Sequence, residues 1–140
     1  MELTEQEMQM QPAPELTHAD PQQICRRIVE ILDAKKATEL TALHVTEQTV
    51  IADYFVLCTA TSGTHVKALA DEVEFRMQQS GVTLLRSEGA GADSWVILDY
   101  GCVMVHIFTP AARQFYNLEK LWGDAQAEDF LSPAQDETGG

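Results

Sequence analysis

The sequence predicts an α/β fold: a single compact domain with a mixed five-stranded sheet and helices packed against it. Three observations predict it. Apolar residues recur at helical spacing in two stretches, Ile24, Ile28, Ile31 and Leu32, then Val66, Leu69, Ala70, Val73 and Met77. Residues 54–60, from Tyr54 to Ala60, are almost continuously apolar, as a central strand covered on both faces requires. Residues 95–108 alternate like two strands joined at a glycine. With 140 residues and 45% apolar composition, the chain is long enough for one domain with a true core.

The elements follow in order. Asp20 is a good helix N-cap, Pro21 suits the first helical position and Gln23 completes a capping box, so a first helix runs from there to about Lys36. Residues 40–45 read as a strand and residues 46–49 as a turn. After the central strand, Ser62 caps a second helix whose inner face is Val66, Leu69, Ala70, Val73 and Met77. Its outer face is Asp71, Glu72, Glu74 and Arg76, and Gly81 supplies its left-handed end. Residues 82–87 form a third strand, 88–93 a loop, 95–100 a fourth strand and 102–108 a fifth, with Gly101 in a tight connection. Thr109 and Pro110 open a last helix with an apolar face of Phe115, Leu118, Leu121 and Trp122, and Gly123 ends it.

The net charge is −13, and it is concentrated at the ends. Residues 1–20 hold five acids and no base, as do residues 124–140. Residues 21–123 hold nine bases against twelve acids, a net of −3. Residues 1–19 and 124–140 therefore read as disordered acidic tails around a folded body at 20–123. Without a gathered Lys/Arg surface, direct nucleic-acid binding is disfavoured, and the acidity suits either a basic protein partner or simple solubility. No run approaches the ~18 apolar residues of a membrane span, and the acidic start fits neither a secretory signal nor a transit peptide. Three cysteines without a C-x-x-C pair suit the reducing cytoplasm.

Alternation divides the hairpin at 95–108 into two faces. Val96, Leu98 and Tyr100 with Val103, Val105 and Ile107 form an ordinary core set. Trp95, Ile97 and Asp99 with Cys102, Met104, His106 and Phe108 form a mixed set. The mixed set is either a protein-contact patch of aromatic anchors with a few polar groups, or a second core layer under a helix. Catalytic readings find little support. Cys58 and His106 could pair as nucleophile and base with Asp99 as orienter, but no Gly-rich elbow flanks them. His44, His65 and His106 are too isolated for zinc. The turn at Thr61, Ser62, Gly63 and Thr64 could cradle a phosphate, but it lacks the Gly-Lys-Ser/Thr of a P-loop, and no Asp-x-Asp pair is present for metal-dependent nucleotidyl transfer. No metal and no cofactor is expected.

Taken together and in order, several pieces resemble the ribosomal silencing factor family, the Iojap-like RsfS proteins. They are Ala52-Asp53-Tyr54-Phe55-Val56, Thr59-Ala60-Thr61-Ser62 with His65-Val66, and Ala68-Leu69-Ala70-Asp71. Glu88-Gly89, Trp95-Val96-Ile97-Leu98-Asp99-Tyr100-Gly101 and Val105-His106-Ile107-Phe108 follow. The closing piece is Arg113-Gln114-Phe115-Tyr116-Asn117-Leu118-Glu119-Lys120-Leu121-Trp122. The resemblance covers about residues 21–122.

The resemblance implies a cytoplasmic translation regulator rather than an enzyme, on a fold similar to a nucleotidyltransferase, commonly homodimeric. It implies binding to the large ribosomal subunit through its ribosomal protein fourteen, which blocks joining of the small subunit when nutrients are scarce. Carried over by position, Trp95 is the aromatic anchor, and Asp99 and Glu88 pair with basic groups of the partner. Tyr100, His106, Phe108, Arg113, Tyr116, Glu119 and Lys120 border or support the patch, with Phe115, Leu118 and Trp122 as helix core. Cys102 stands where the family usually has Asp, removing a carboxylate from that region. The competing expectation is a nucleotidyltransferase-like enzyme holding a nucleotide at the turn of Ser62 and His65.

Overall fold

The computed structural model describes residues 13–89, 94–117, 120 and 125–130. Helix α1 (Pro21–Ala34) begins with the expected capping box: the Asp20 carboxylate accepts from the Gln23 N–H at 2.9 Å, and the Gln23 side chain accepts from the Asp20 N–H at 3.0 Å. It stops two residues before Lys36, which takes a positive φ of 69°. Strand β1 (Thr38–His44) and the fully buried β2 (Tyr54–Thr59) pair antiparallel. The turn expected at 46–49 is present, with the N–H groups of Gln48 and Thr49 both donating to the Val45 carbonyl. Helix α2 (Gly63–Gln79) is capped by Ser62 and stopped before Gly81, whose φ of +84° a side chain would strain.

The remaining elements are β3 (Arg86–Glu88), β4 (Trp95–Asp99), β5 (Val103–Phe108), α3 (Pro110–Tyr116) and β6 (Gln126–Glu128). The sheet has six strands, in the order β3-β4-β5-β2-β1-β6, where five were expected. Strand β2 runs parallel to β5 and every other pair is antiparallel, so the sheet is mixed. Helices α1 and α2 cover one face, and their buried residues form a continuous core with Val56, Val96, Leu98, Val103, Val105 and Ile107. The other face carries a smaller core of Leu43, Val45, Phe55, Leu57, Phe108 and Ala112, with Trp95 and Met104 packed at its margin.

Four expectations change. The third strand is confined to 86–88, because only those residues lie opposite β4. Val82 and Leu84 instead pack against the helix-side core. Arg76 is buried rather than on the wet face of α2, its Nε held 2.6 Å from Glu72. The two segments taken as tails both reach the body. The Leu16 N–H donates to the Ser80 carbonyl at 2.9 Å and its side chain packs on the core. Residues 126–128 pair with β1, and Phe130 packs beside Tyr54 with the Arg26 guanidinium 4.9 Å over its ring. Net acidity does not exclude a short strand at a sheet edge when one aromatic residue finds the core. Finally, α3 ends at Tyr116, where Asn117 adopts the left-handed conformation. The expected helix face at Leu118, Leu121 and Trp122, its end at Gly123, and the glycine loop at 90–93 lie outside the described residues.

Candidate partner-binding face

The site is built on the sheet face away from α1 and α2. Strands β4 and β5 pair with Trp95 opposite Phe108, Ile97 opposite His106 and Asp99 opposite Met104, so all six side chains share that face. Trp95 is the centre. Its ring stacks on Phe108 at 5.2 Å and meets Tyr116 of α3 at 4.4 Å, and its Nε1 donates to His106 Nδ1 at 3.3 Å. Phe55 closes on His106 edge-on at 5.3 Å. Phe108 and His106 are buried, whereas Trp95, Ile97, Asp99 and Met104 remain partly open and Tyr116 is exposed. Among the described residues the face is therefore part core and part open patch, with α3, seven residues long, at its end.

Helix α3 is fixed to the sheet by its first two turns. Thr109 caps it and accepts from the Ala112 N–H. Arg113, expected at the patch, is instead buried. Its Nη1 donates to the Thr59 hydroxyl at 3.1 Å and to the Glu39 carbonyl. Glu39 is presented by a bulge in β1: Thr38 lies opposite Thr59 and Thr41 opposite Leu57, one extra residue in that interval, with Glu39 at a φ of +46°. That clamp joins positions 74 residues apart, and no local pattern announces it. The turn after Arg113 then points Phe115 outward, 79% exposed, against the expectation that it was core. Asn117, a residue that readily takes the left-handed conformation closing α3, is the sequence signal for that end.

The expected acidic partners of Trp95 are only partly free. Asp99 Oδ1 accepts from the Gly101 N–H at 2.8 Å, which fixes the β4–β5 turn, and Asp99 Oδ2 lies 3.7 Å from an Arg86 Nη2. The same guanidinium lies 3.5 Å from Glu88. Arg86 thus sits between the two carboxylates, a feature absent from the sequence reading. Tyr100 belongs to the helix-side core and not to the patch, as alternation requires; burial drives its phenol pKa upward. Lys120 is exposed, and Glu119 lies outside the described residues. Cys102 is half-buried beside the 46–53 loop, where its carbonyl accepts the N–H groups of Asp53 and Tyr54. Asp53 is structural, with its carboxylate accepting from the Thr46 hydroxyl at 3.1 Å.

The catalytic alternatives fail on geometry. In the parallel β2–β5 register Leu57, not Cys58, lies opposite His106, so Cys58 points to the other face of the sheet. Burial pushes the Cys58 thiol up to about 12, the opposite of an activated nucleophile. At the 61–65 turn His65 Nδ1 accepts from the Thr61 N–H at 2.9 Å, and Nε2 faces the Lys35 carbonyl at 2.9 Å. Ser62 Oγ takes the His65 N–H. The N–H groups of Thr61 and His65 are thus engaged within the turn, and the His65 imidazole ties the start of α2 to the end of α1. Among the described residues no cluster of three His, Cys, Asp or Glu side chains is placed to hold a metal, and no helix is long and apolar enough to cross a membrane.

Comparison with known proteins decides the family. The profile described as "Ribosomal silencing factor during starvation" matches residues 18–139. The chain belongs to the ribosomal silencing factor RsfS family. It is similar to the RsfS protein of Halalkalibacterium halodurans, 40% identical over 104 residues that cover 74% of this chain and 89% of that one. It is 39% identical to the Bacillus subtilis RsfS over 98 residues, 70% of this chain and 83% of the relative. A mouse protein named "Mitochondrial assembly of ribosomal large subunit protein 1" is 27% identical, covering 98% of this chain and 61% of its own length. A crystal structure of a Chromobacterium violaceum protein, 33% identical, superposes with a TM-score of 0.73 over 82% of this chain and 95% of that one. These RsfS relatives are named as silencing factors and not as enzymes.

Proposed function

We propose that this RsfS-family protein lowers translation by occupying the large ribosomal subunit through its ribosomal protein fourteen, so that the small subunit cannot join. It acts in the cytoplasm as an interaction module under nutrient limitation, and it is a homodimer when free. The observation that carries this reading is the half-open Trp95. It is an indole held on three sides by Phe108, His106 and Tyr116 and left open toward solvent, as an interface anchor must be. The acidic pair Glu88 and Asp99 beside it suits a basic partner. The mouse relative's name connects a family member with the large subunit.

The test is sedimentation with isolated large subunits, small subunits and joined ribosomes. The protein should travel with large subunits only and reduce joined ribosomes as its concentration rises. Trp95→Ala should lose about a hundredfold in affinity while remaining folded, as truncation of a central hot spot does. A folded Trp95→Ala that still sediments with large subunits would place the contact elsewhere.

A further inference from the structure

The imidazole of His106 poses a physical question. The residue is 5% exposed and is walled by rings: Phe55 edge-on at 5.3 Å, Phe108 nearly parallel at 6.1 Å and Trp95 at 6.0 Å. Its Nδ1 accepts from the Trp95 N–H, so the neutral ring carries its proton on Nε2. That Nε2–H is buried and has no hydrogen-bond partner among the described residues. A buried donor without a partner is a desolvation cost with nothing gained in return, and an aliphatic or phenyl side chain would fill the same space without it. Among the described residues the one polar contact of the imidazole is the hydrogen bond to Trp95.

We infer that His106 is a positioning residue for Trp95, using Nδ1 to hold the indole N–H inward and so fixing which edge of the ring a partner meets. The inference rests on the reading of Trp95 as the contact anchor. Stacking on Phe108 and packing against the tilted Tyr116 ring hold the plane of an indole but do not distinguish its two edges. Only the pyrrole edge carries an N–H, and only an acceptor beneath it can select that edge. His106 lies opposite Ile97 and therefore diagonal to Trp95 across the β4–β5 ladder, the one same-face position on β5, other than Phe108, from which a side chain can reach under the ring.

Three variants test this, made in a Trp122→Phe background so that Trp95 is the only tryptophan. Asparagine places a side-chain oxygen near the position of Nδ1, and glutamine places one near that of Nε2. His106→Leu should shift Trp95 emission and lower affinity for large subunits about tenfold while the chain remains folded, since a binding group loses its preorganisation. His106→Asn should restore most of both signals, and His106→Gln should not. A folded His106→Leu with unchanged emission and affinity would overturn the inference. So would affinities that follow thermal stability across the three variants irrespective of acceptor position. If His106→Leu does not fold, the Asn and Gln pair decides by the same criteria. If Trp95→Ala binds as well as the parent, the proposed contact fails, whereas the emission of the His106 variants still reports whether His106 holds the ring.

Discussion

The two faces of the sheet are packed by different rules. Under α1 and α2 the strands present Val56, Leu98, Val103, Val105 and Ile107, all essentially without exposure, and two long helices seal them. On the other face the same strands present Phe55, Trp95, Met104, His106 and Phe108, and one short helix covers part of them. Aliphatic side chains with stiff rotamers fill a closed layer well. Flat rings with polar edges suit a layer that is half closed, because they can be buried on one side and meet a partner on the other. The contrast shows how one hairpin can build a closed core with one alternating set of side chains and leave a half-open face with the other.

The sharpest way to break this comparison is to truncate one residue on each face. Leu98→Ala should destabilise the fold by about 2–5 kcal/mol in chemical denaturation, and its folded fraction should still bind. Trp95→Ala should do the reverse, with a smaller loss of stability and a large loss of binding. Equal losses of stability would make the aromatic layer an ordinary core.

Acid is a second probe, and on the aromatic face it acts through His106. Burial lowers His106 from 6.5 to about 4. Between those values the unfolded chain binds a proton that the folded chain refuses, so stability falls as the pH drops from about 6.5 through about 4. The loss from this group reaches roughly 3 kcal/mol at most. In His106→Asn that part of the acid sensitivity should vanish; an unchanged pH profile would assign it to other groups.

The smallest effect concerns Arg86. Its two ion pairs are long and its side chain is largely exposed, so Arg86→Gln should change stability by less than about 0.5 kcal/mol. It frees Glu88 and Asp99, so affinity for a basic partner should rise about threefold at low salt and fall back as salt is added. Weaker binding at low salt would mean that Arg86 touches the partner itself.

Periodicity and caps made most of the fold legible. Asp20, Ser62 and Thr109 begin their helices as local chemistry dictates, and the period-two reading separated Tyr100 and Leu98 from Trp95 and His106. What escaped it depends on contacts distant in sequence. Arg113 looked like a surface cation because nothing near it shows the Glu39 bulge that takes its proton donors. Arg76 looked wet because a carboxylate one helical turn away suggests an exposed pair as readily as a buried one. Strand β6 was hidden within an acidic stretch whose aromatic anchor, Phe130, has meaning only beside Tyr54 and Arg26. Of the proposed contact residues, Trp95 stands out by its pattern, while the exposure of Phe115 is visible only in the structure.

The sheet is closed at each margin by a strand of three residues, β3 on one side and β6 on the other. Both carry a carboxylate, Glu88 and Glu128, and neither is long enough to template a further strand well. Strand β6 matters more, because it shields β1, whose apolar Ala42 and Leu43 would otherwise offer open backbone groups to any neighbouring chain. Cleavage between residues 117 and 126 followed by loss of the end piece would therefore convert a well-behaved particle into a self-adhesive one. For this protein the safest end point in any shortened version lies beyond Phe130, and a rise in light scattering after limited proteolysis would be the first sign that the margin had been stripped.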